Sequence, residues 1–226
     1  MTRRTRIKRS SAWLDRARQM DPGVVEDILG QRRFYTDPPA RLKPAAVLMA
    51  LSGDGVETGE VLLTHRSPSM RSHSGQIAFP GGRLDPGETP VQAALREARE
   101  ETGLEEAETT VLSAWDTVTI RASGHPVTPV LAHWHAPRQL EVTSPAEADD
   151  VFAAPLVELL DPAQRLQVGF RGWQGPAFWH RDYLIWGFTG GLLAALFRHT
   201  GWEIPWRRYE VHGLQDVLAR SRNNER

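Results

Sequence analysis

The segment TPVQAALREAREETGL contains both the start signals and the stop signal of an α-helix. Thr89 suits the N-cap position, and Pro90 suits the first helical position. Gln92 stands three residues after Thr89 and completes a capping box. Gly103 suits the position just past the helix, where a left-handed backbone is common. The sequence therefore predicts a helix over residues 90–102.

Three glutamates crowd one side of this helix. At about 100° per residue, Glu97, Glu100 and Glu101 fall within one arc of about 100°, so their like charges repel. Glu101 also borders the apolar stripe of the helix, where a shielded carboxylate is costly unless it is neutralised. Arg96 and Arg99 project mostly to the other side of the helix from Glu101. A simple charge-balanced, solvated face therefore explains this acid poorly.

The acids favour a hard divalent cation as their partner. Oxygen ligands on one rigid element suit Mg²⁺ or Mn²⁺, and the chain has no cysteine that could supply a thiolate. Ions of this kind keep several waters and are commonly shared with substrate phosphates. We therefore expect Mg²⁺ or Mn²⁺ as the cofactor and a phosphate-containing substrate.

Length, charge and hydropathy limit the other possibilities. A chain of 226 residues suits one large domain with extensions, and its net charge of −1 favours neither nucleic acid nor an anionic membrane. The longest nearly apolar run, from Tyr183 to Phe197, is shorter than the roughly 20 residues of a membrane helix. The absence of cysteine fits a reducing compartment. We expect a cytoplasmic protein with a small-molecule partner and no membrane contact, and a homodimer is compatible with the sequence.

Strand-like segments flank the helix on both sides, and a second helix pattern follows near residue 190. This order predicts an α/β protein with a mixed sheet and helices on both faces. We divide the chain into an N-terminal basic tail and helix (1–40), a main domain (41–200) and a C-terminal extension (201–226).

From Gly82 the chain reads GRLDPGETPVQAALREAREETGL, which resembles the Nudix box at every fixed position. The resemblance implies an α/β/α sandwich with a catalytic loop–helix–loop. It also implies hydrolysis of a nucleoside diphosphate linked to another group. The implied metal ligands are Glu97, Glu101 and the carbonyl of Gly82, with Glu100 either a further ligand or the base that activates water.

Two further roles follow from the same resemblance. Glu88 would pair with Arg96 and hold the loop against the helix. Glu147, in SPAEADDVF, aligns with a downstream acid that often approaches the metal in this family. It would be a ligand or the base, and its alternative is an ordinary acid at a helix start.

A second stretch, Leu62 to Gly82, reads LLTHRSPSMRSHSGQIAFPGG and resembles the signature of the coenzyme A pyrophosphatase branch of the family. Arg66 and Arg71 would then pair with phosphate groups of the substrate, because guanidinium groups bind phosphate oxygens bidentately. Without the resemblance, Arg66 would be only a strand-end arginine. His73 would be a hydrogen-bond donor that positions the substrate, or an ordinary loop histidine. We also expect Phe79 to be a substrate-binding residue.

The resemblance fails at one place. Relatives often read IWGATA where this chain reads IWGFTGG, so we expect Phe188 and Gly191 to reshape a wall of the pocket. This leaves open whether acyl thioesters of coenzyme A are accepted.

The leading hypothesis is a metal-dependent hydrolase that splits coenzyme A into 4′-phosphopantetheine and adenosine 3′,5′-bisphosphate. A close alternative keeps the chemistry but acts on ADP-ribose or another nucleoside diphosphate derivative. A regulator that binds nucleotides without cleaving them is a third hypothesis, although a complete set of acids argues against it. A fourth and weakest hypothesis is an RNA-binding, decapping-like role, which rests only on the basic residues at 3–9.

Overall fold

The computed structural model describes residues 11–30, 42–70, 73–120 and 123–225. The basic N-terminal stretch and Arg71 therefore lie outside the described residues. The helices are α1 (Asp15–Arg18), α2 (Pro22–Leu29), α3 (Pro90–Thr102), α4 (Leu156–Leu160), α5 (Gly187–Thr200) and α6 (Leu214–Leu218). The strands are β1 (Ala45–Ser52), β2 (Glu60–Arg66), β3 (Ile77–Ala78), β4 (Gly81–Arg83), β5 (Thr109–Ala114), β6 (Val118–Thr119), β7 (Pro126–Trp134), β8 (Ala148–Pro155), β9 (Arg165–Phe170), β10 (Trp173–His180), β11 (Tyr183–Ile185) and β12 (Val211–Gly213).

The strands form two mixed sheets. In the larger sheet the order is β3-β2-β1-β7-β5, and β4, β6 and β8 pair with β1, β7 and β2 respectively. Strands β1 and β7 are parallel, whereas β1 and β2 form an antiparallel hairpin. The smaller sheet has the order β11-β10-β9-β12 and contains the antiparallel hairpin β10–β11. The prediction of a mixed sheet is confirmed.

The larger sheet lies between two helical layers. Along β1 the side chains alternate between faces, as the pleat of a strand requires. Leu48 and Ala50 pack in the same cluster as the alanines of α3, whereas Met49 and Leu51 pack in the cluster that contains the leucines of α5. The predicted α/β/α sandwich is therefore confirmed.

Helix α3 begins and ends where the sequence predicts. The Thr89 hydroxyl accepts a hydrogen bond from the Gln92 backbone N–H at 3.3 Å, and the Gln92 side chain accepts one from the Thr89 backbone at 2.9 Å. Gly103 ends the helix in the left-handed region, at φ 70°. These local signals fix where the helix begins and ends, and the packing of its alanines against β1 sets the direction in which its acids point.

The N-terminal helices pack directly on α5. A Cβ atom at Gly191 would lie closer than 3.0 Å to the Leu29 side chain, so glycine here allows α2 and α5 to approach each other. The expectation that Gly191 shapes a wall of the pocket is wrong, because it faces the N-terminal extension. Phe188 is partly buried against the same core cluster. No helix within the described ranges is long and apolar enough to cross a membrane.

Candidate active site

Three carboxylates converge at the C-terminal half of α3. One oxygen from each of Glu97, Glu101 and Glu147 lies within 4.8 Å of the other two. Glu97 and Glu101 are four residues apart and so are neighbours on the helix surface. Glu147 approaches from the loop that precedes β8. Among the described residues, this is the group of acidic side chains that could hold a metal ion.

The loop that carries Glu147 is held from two sides. The backbone N–H of Thr143 donates to the Glu101 carbonyl at 3.2 Å, and the Thr143 hydroxyl donates to the Glu100 carbonyl at 2.6 Å. Both acceptors are end-of-helix carbonyls that lack a partner within the helix. On the other side, the Ser67 N–H donates to the Glu147 carbonyl at 2.9 Å. The loop therefore joins the end of α3 to the end of β2.

Glu101 is the most buried acid of the three, with only 4% of its surface exposed. Burial raises its pKa to about 8, although the nearby positive charge of Arg66 and a hydrogen bond from the Gly81 N–H oppose the shift. The Gly81 bond is 3.2 Å long. A Cβ atom at Gly81 would lie closer than 3.0 Å to the Ala46 carbonyl oxygen, so only glycine lets this donor reach its place.

Glu97 is packed against a glycine. A Cβ atom at Gly82 would lie closer than 3.0 Å to all three carboxylate atoms of Glu97. Burial raises the pKa of Glu97, and the hydrogen bond and charge of Arg96 partly offset that rise. The spacing between strand and helix thus leaves room for the carboxylate only because residue 82 has no side chain.

Arg96 ties the loop before α3 to the acids. Its Nε and Nη2 atoms donate to the two oxygens of Glu88 at 2.8 and 2.9 Å. Its Nη1 atom donates to Glu97 at 2.9 Å and to Glu100 at 3.2 Å, and Nη2 also donates to the Arg83 carbonyl at 3.0 Å. This pairing raises the pKa of Arg96 and lowers that of Glu88 to about 2. Arg96 therefore neutralises Glu97 and Glu100 in part, but makes no such bond to Glu101.

The remaining candidate residues are dispersed. The side chain of Glu100 is 56% exposed and pairs with Arg96, outside the group of three carboxylates. His73 is exposed and pairs with the Gln76 side chain at 3.0 Å. Phe79 is only 3% exposed and belongs to the hydrophobic core. The positive charge of Arg66 lies close enough to Glu101 to lower the pKa of that carboxyl. Arg71 is outside the described residues.

The donor set fits a hard divalent cation. It offers only oxygen atoms, and two of its carboxyl groups have raised pKa values that a bound cation would lower again. Sequence reasoning missed the Gly81 N–H as a donor to Glu101. The double glycine in FPGG was its only local signal, because a glycine pair permits close backbone approach.

The comparisons agree with this geometry. The NUDIX domain family model matches residues 42–173, more than half of the chain. A protein of Photorhabdus laumondii named "Uncharacterized Nudix hydrolase NudL" is 36% identical over 168 residues, covering 70% of this chain and 88% of that protein. "Nudix hydrolase 3" of Caenorhabditis elegans is 31% identical over 180 residues, covering 71% and 74%. The chain therefore belongs to the Nudix family and is a Nudix hydrolase that acts as a pyrophosphatase.

A solved structure matches at the level of the fold. A MutT/nudix family protein from Enterococcus faecalis has a TM-score of 0.50 and 15% identity, covering 89% of this chain and 75% of that chain. The likeness supports the same arrangement of sheet and helices.

Gly82→Ala should weaken metal binding without unfolding the protein. The new methyl group would displace the Glu97 carboxylate, which can swing away because it ends a flexible side chain. We expect the Kd for Mn²⁺, measured by titration calorimetry, to rise at least about tenfold, as for other changes that disturb the support of a metal ligand. Gly55→Ala is the matched control, because nothing lies within 4 Å of a Cβ atom there. Equal Mn²⁺ affinity in the two variants would contradict the close approach of Gly82 and Glu97.

The metal-free protein should lose stability as the pH rises. Unfolded, the Glu101 carboxyl loses its proton near 4.5, whereas in the fold it keeps the proton up to about pH 8. The unfolded state therefore binds fewer protons in this window, and the free energy of unfolding falls by up to about 1.4 kcal/mol per pH unit. Urea unfolding of wild type, Glu101→Gln and Glu106→Gln between pH 5 and 8 tests this expectation.

Glu101→Gln should flatten the pH dependence, because it removes the titrating group. Glu106→Gln alters an exposed acid just beyond the helix and should leave the wild-type slope in place. Parallel curves for wild type and Glu101→Gln would show that the buried carboxyl does not control stability in this range.

Proposed function

We propose that this Nudix hydrolase cleaves coenzyme A, or its thioesters, to 4′-phosphopantetheine, or its acyl form, and adenosine 3′,5′-bisphosphate. Glu97 and Glu101 would hold Mg²⁺ or Mn²⁺, and the Glu147 carboxylate lies beside them. When bound, the ion neutralises charge that develops on the diphosphate and increases the acidity of the attacking water. The cytoplasmic location expected from the sequence remains a prediction.

The position of Arg66 carries this proposal. Its positive charge lies close enough to Glu101 to lower the pKa of that carboxyl. Its Nε atom is buried and has no hydrogen-bond partner in the described part of the chain. A buried donor without a partner costs free energy, and phosphate oxygens are strong acceptors for guanidinium groups. Arg66 is therefore suited to bind the diphosphate beside the metal site.

The rest of the signature supports coenzyme A as the substrate. The resemblance to the coenzyme A branch covers Leu62 to Gly82, and this stretch supplies three groups to the site. Arg66 contributes its charge, Gly81 donates its N–H to Glu101, and Gly82 makes room for Glu97. Arg66, Gly81 and Gly82 of this stretch thus lie at the acids, whereas Phe79 lies in the core.

We assign the role of general base to Glu147 rather than to Glu100. The Glu147 carboxylate lies among the metal-binding acids and is exposed, so water can reach it. The Glu100 carboxylate pairs with Arg96 outside this group. A base must lie within hydrogen-bond reach of the water whose proton it takes, and this favours Glu147. Glu88 and Arg96 would act by fixing the loop and the direction of Glu97.

A substrate panel tests the proposed activity. With Mg²⁺ or Mn²⁺ present, kcat/KM should be higher for coenzyme A or an acyl-CoA than for ADP-ribose, NADH or diadenosine polyphosphates. Arg66→Ala should lower kcat/KM for coenzyme A by about 10- to 100-fold, because a charge-assisted hydrogen bond is lost. Mass spectrometry should identify the two products, and Glu101→Gln serves as the variant with an impaired metal site.

The panel also separates the alternatives. A preference for ADP-ribose would overturn the proposed substrate but retain the chemistry. Tight binding of a nucleotide without hydrolysis by the wild-type protein would favour the regulator.

Paired variants test the choice of base. Glu147→Gln should lower kcat by about 10²- to 10⁴-fold, because the proton acceptor is lost. Glu100→Gln should change kcat less than about tenfold, since it removes only one partner of Arg96. Mn²⁺ affinity of both variants, measured by calorimetry, separates loss of the base from loss of a ligand. A larger decrease in kcat for Glu100→Gln would reverse the assignment.

A further inference from the structure

A short segment near the C-terminus, residues 223–225, packs against the larger and smaller sheets; we refer to it as the C-terminal clip. Asn223 is fully buried although it is polar. Its side-chain amide makes two hydrogen bonds with the Leu184 backbone in β11, accepting at 2.9 Å and donating at 2.9 Å. This pairing imitates a neighbouring strand and satisfies both polar groups of the amide, as burial requires.

Glu225 adds three more hydrogen bonds. Its Oε1 atom accepts from the Trp186 indole at 2.7 Å and from the Asn223 amide at 2.8 Å. Its Oε2 atom accepts from the Gln76 amide at 3.4 Å. The carboxylate therefore connects Trp186, the residue after β11, to the loop between β2 and β3, which belongs to the stretch that resembles the coenzyme A signature.

The same loop touches the clip through its backbone. A Cβ atom at Gly75 would lie closer than 3.0 Å to the Asn223 carbonyl oxygen and the Glu225 nitrogen. Gly75 also has a φ of +74°, a conformation that glycine adopts without strain. In addition, the His65 Nε2 atom donates to the Asn223 carbonyl at 3.0 Å. Contact this close would not tolerate a side chain at residue 75.

The groups held by the clip in turn hold the backbone of Arg66. The Gly75 N–H donates to the Arg66 carbonyl at 3.0 Å, and the Arg66 N–H donates to the Gln76 carbonyl at 2.9 Å. The side chain of the preceding residue, His65, faces the clip and stacks on Tyr183 with ring centroids 4.8 Å apart. Arg66 instead places its charge near Glu101, as expected for neighbours in a strand that face opposite sides.

A second connection leads to Glu147. The His65 Nδ1 atom pairs with the carboxylate of Asp149. The register of β2 and β8 shifts between His65 and Arg66, which is the pattern of a β-bulge. A bulge re-aims side chains, so Asp149 turns to His65 while Glu147 joins the metal-binding acids. His65 thus connects the clip to β2, which carries Arg66, and to β8, which directly follows Glu147.

We propose that Asn223 and Glu225 are positioning residues for the reaction: the clip fixes Gly75 and Gln76, and these fix Arg66 where it meets the substrate. The inference rests on the proposed function of Arg66. The clip would then contribute to substrate binding as well as to the stability of the fold.

Kinetics of clip variants provide the first test. Asn223→Ala removes the pairing with Leu184. Glu225→Gln keeps an acceptor oxygen for Trp186 and Asn223 but places an NH₂ group against the NH₂ group of Gln76. Both should raise KM for coenzyme A by about tenfold while kcat changes little, as expected for one lost coupling to a binding group. Arg220→Ala is the matched control, since this exposed residue precedes the clip and its side chain donates to the Asp216 carbonyl.

A double-mutant cycle tests whether the clip acts through Arg66. In an Arg66→Ala background, Glu225→Gln should have no further effect on KM, because the group that it positions is gone. Additive effects of the two substitutions would overturn the proposal. A fall in Tm with KM unchanged would likewise show that the clip is only structural.

Hydrogen exchange separates failure of this proposal from failure of the proposed function. The Arg66 and Gly75 amides should exchange faster in Asn223→Ala and Glu225→Gln than in Arg220→Ala, while those of α3 stay protected. This measurement needs no substrate. If wild type does not hydrolyse coenzyme A, the proposed function fails, and exchange alone then decides whether the clip holds the loop. Unchanged exchange at both amides would overturn the clip proposal.

Discussion

The burial of the Glu101 carboxylate beside two other acids is the constraint on which the rest of the site depends. Removing a carboxylate from water is costly, and one backbone donor and a nearby arginine compensate only in part. A fold can hold such a group only if the surrounding elements are rigid. Here the carboxylate lies between a sheet and a capped helix, and a bound cation would offset the unfavourable burial.

The supporting contacts are arranged to keep this group in place. Arg96 binds both oxygens of Glu88 and one of Glu97, so the loop before α3 cannot move without moving an acid. Gly81 and Gly82 bring the edge of the sheet within reach of the helix. Pre-organisation of this kind matters in catalysis, because groups that are already oriented need no rearrangement when charge develops.

The sequence predicted those parts of the fold and the site that depend on local signals. The boundaries of α3 follow from Thr89 and Gly103, and the helical period then places Glu97 and Glu101 together. The mixed sheet with helices on both faces follows from the strand-like segments that flank the helix on both sides. The family resemblance, rather than any local pattern, indicated Glu147, because a contact between residues distant in sequence leaves no periodic signal.

Tertiary packing accounts for what the sequence did not reveal. Gly191 faces the N-terminal helix, although nothing in its neighbourhood in the sequence distinguishes that surface from a pocket wall. Phe79 belongs to the stretch that resembles the coenzyme A signature, yet its side chain is in the core. The clip contacts join Asn223 to Leu184 and to Gly75, and no short-range pattern encodes such pairs.

The parallel pairing of β1 with β7 has a consequence for how the protein is made. Residues 53–125, including all of α3, lie between these two strands, so the centre of the sheet closes a long loop. Contacts of this range form slowly and follow local structure. During synthesis from the N-terminus, the helical acids leave the ribosome before β8 and its preceding loop. In a nascent chain the three acids would therefore come together only when β8 docks on β2, after the helix itself is complete.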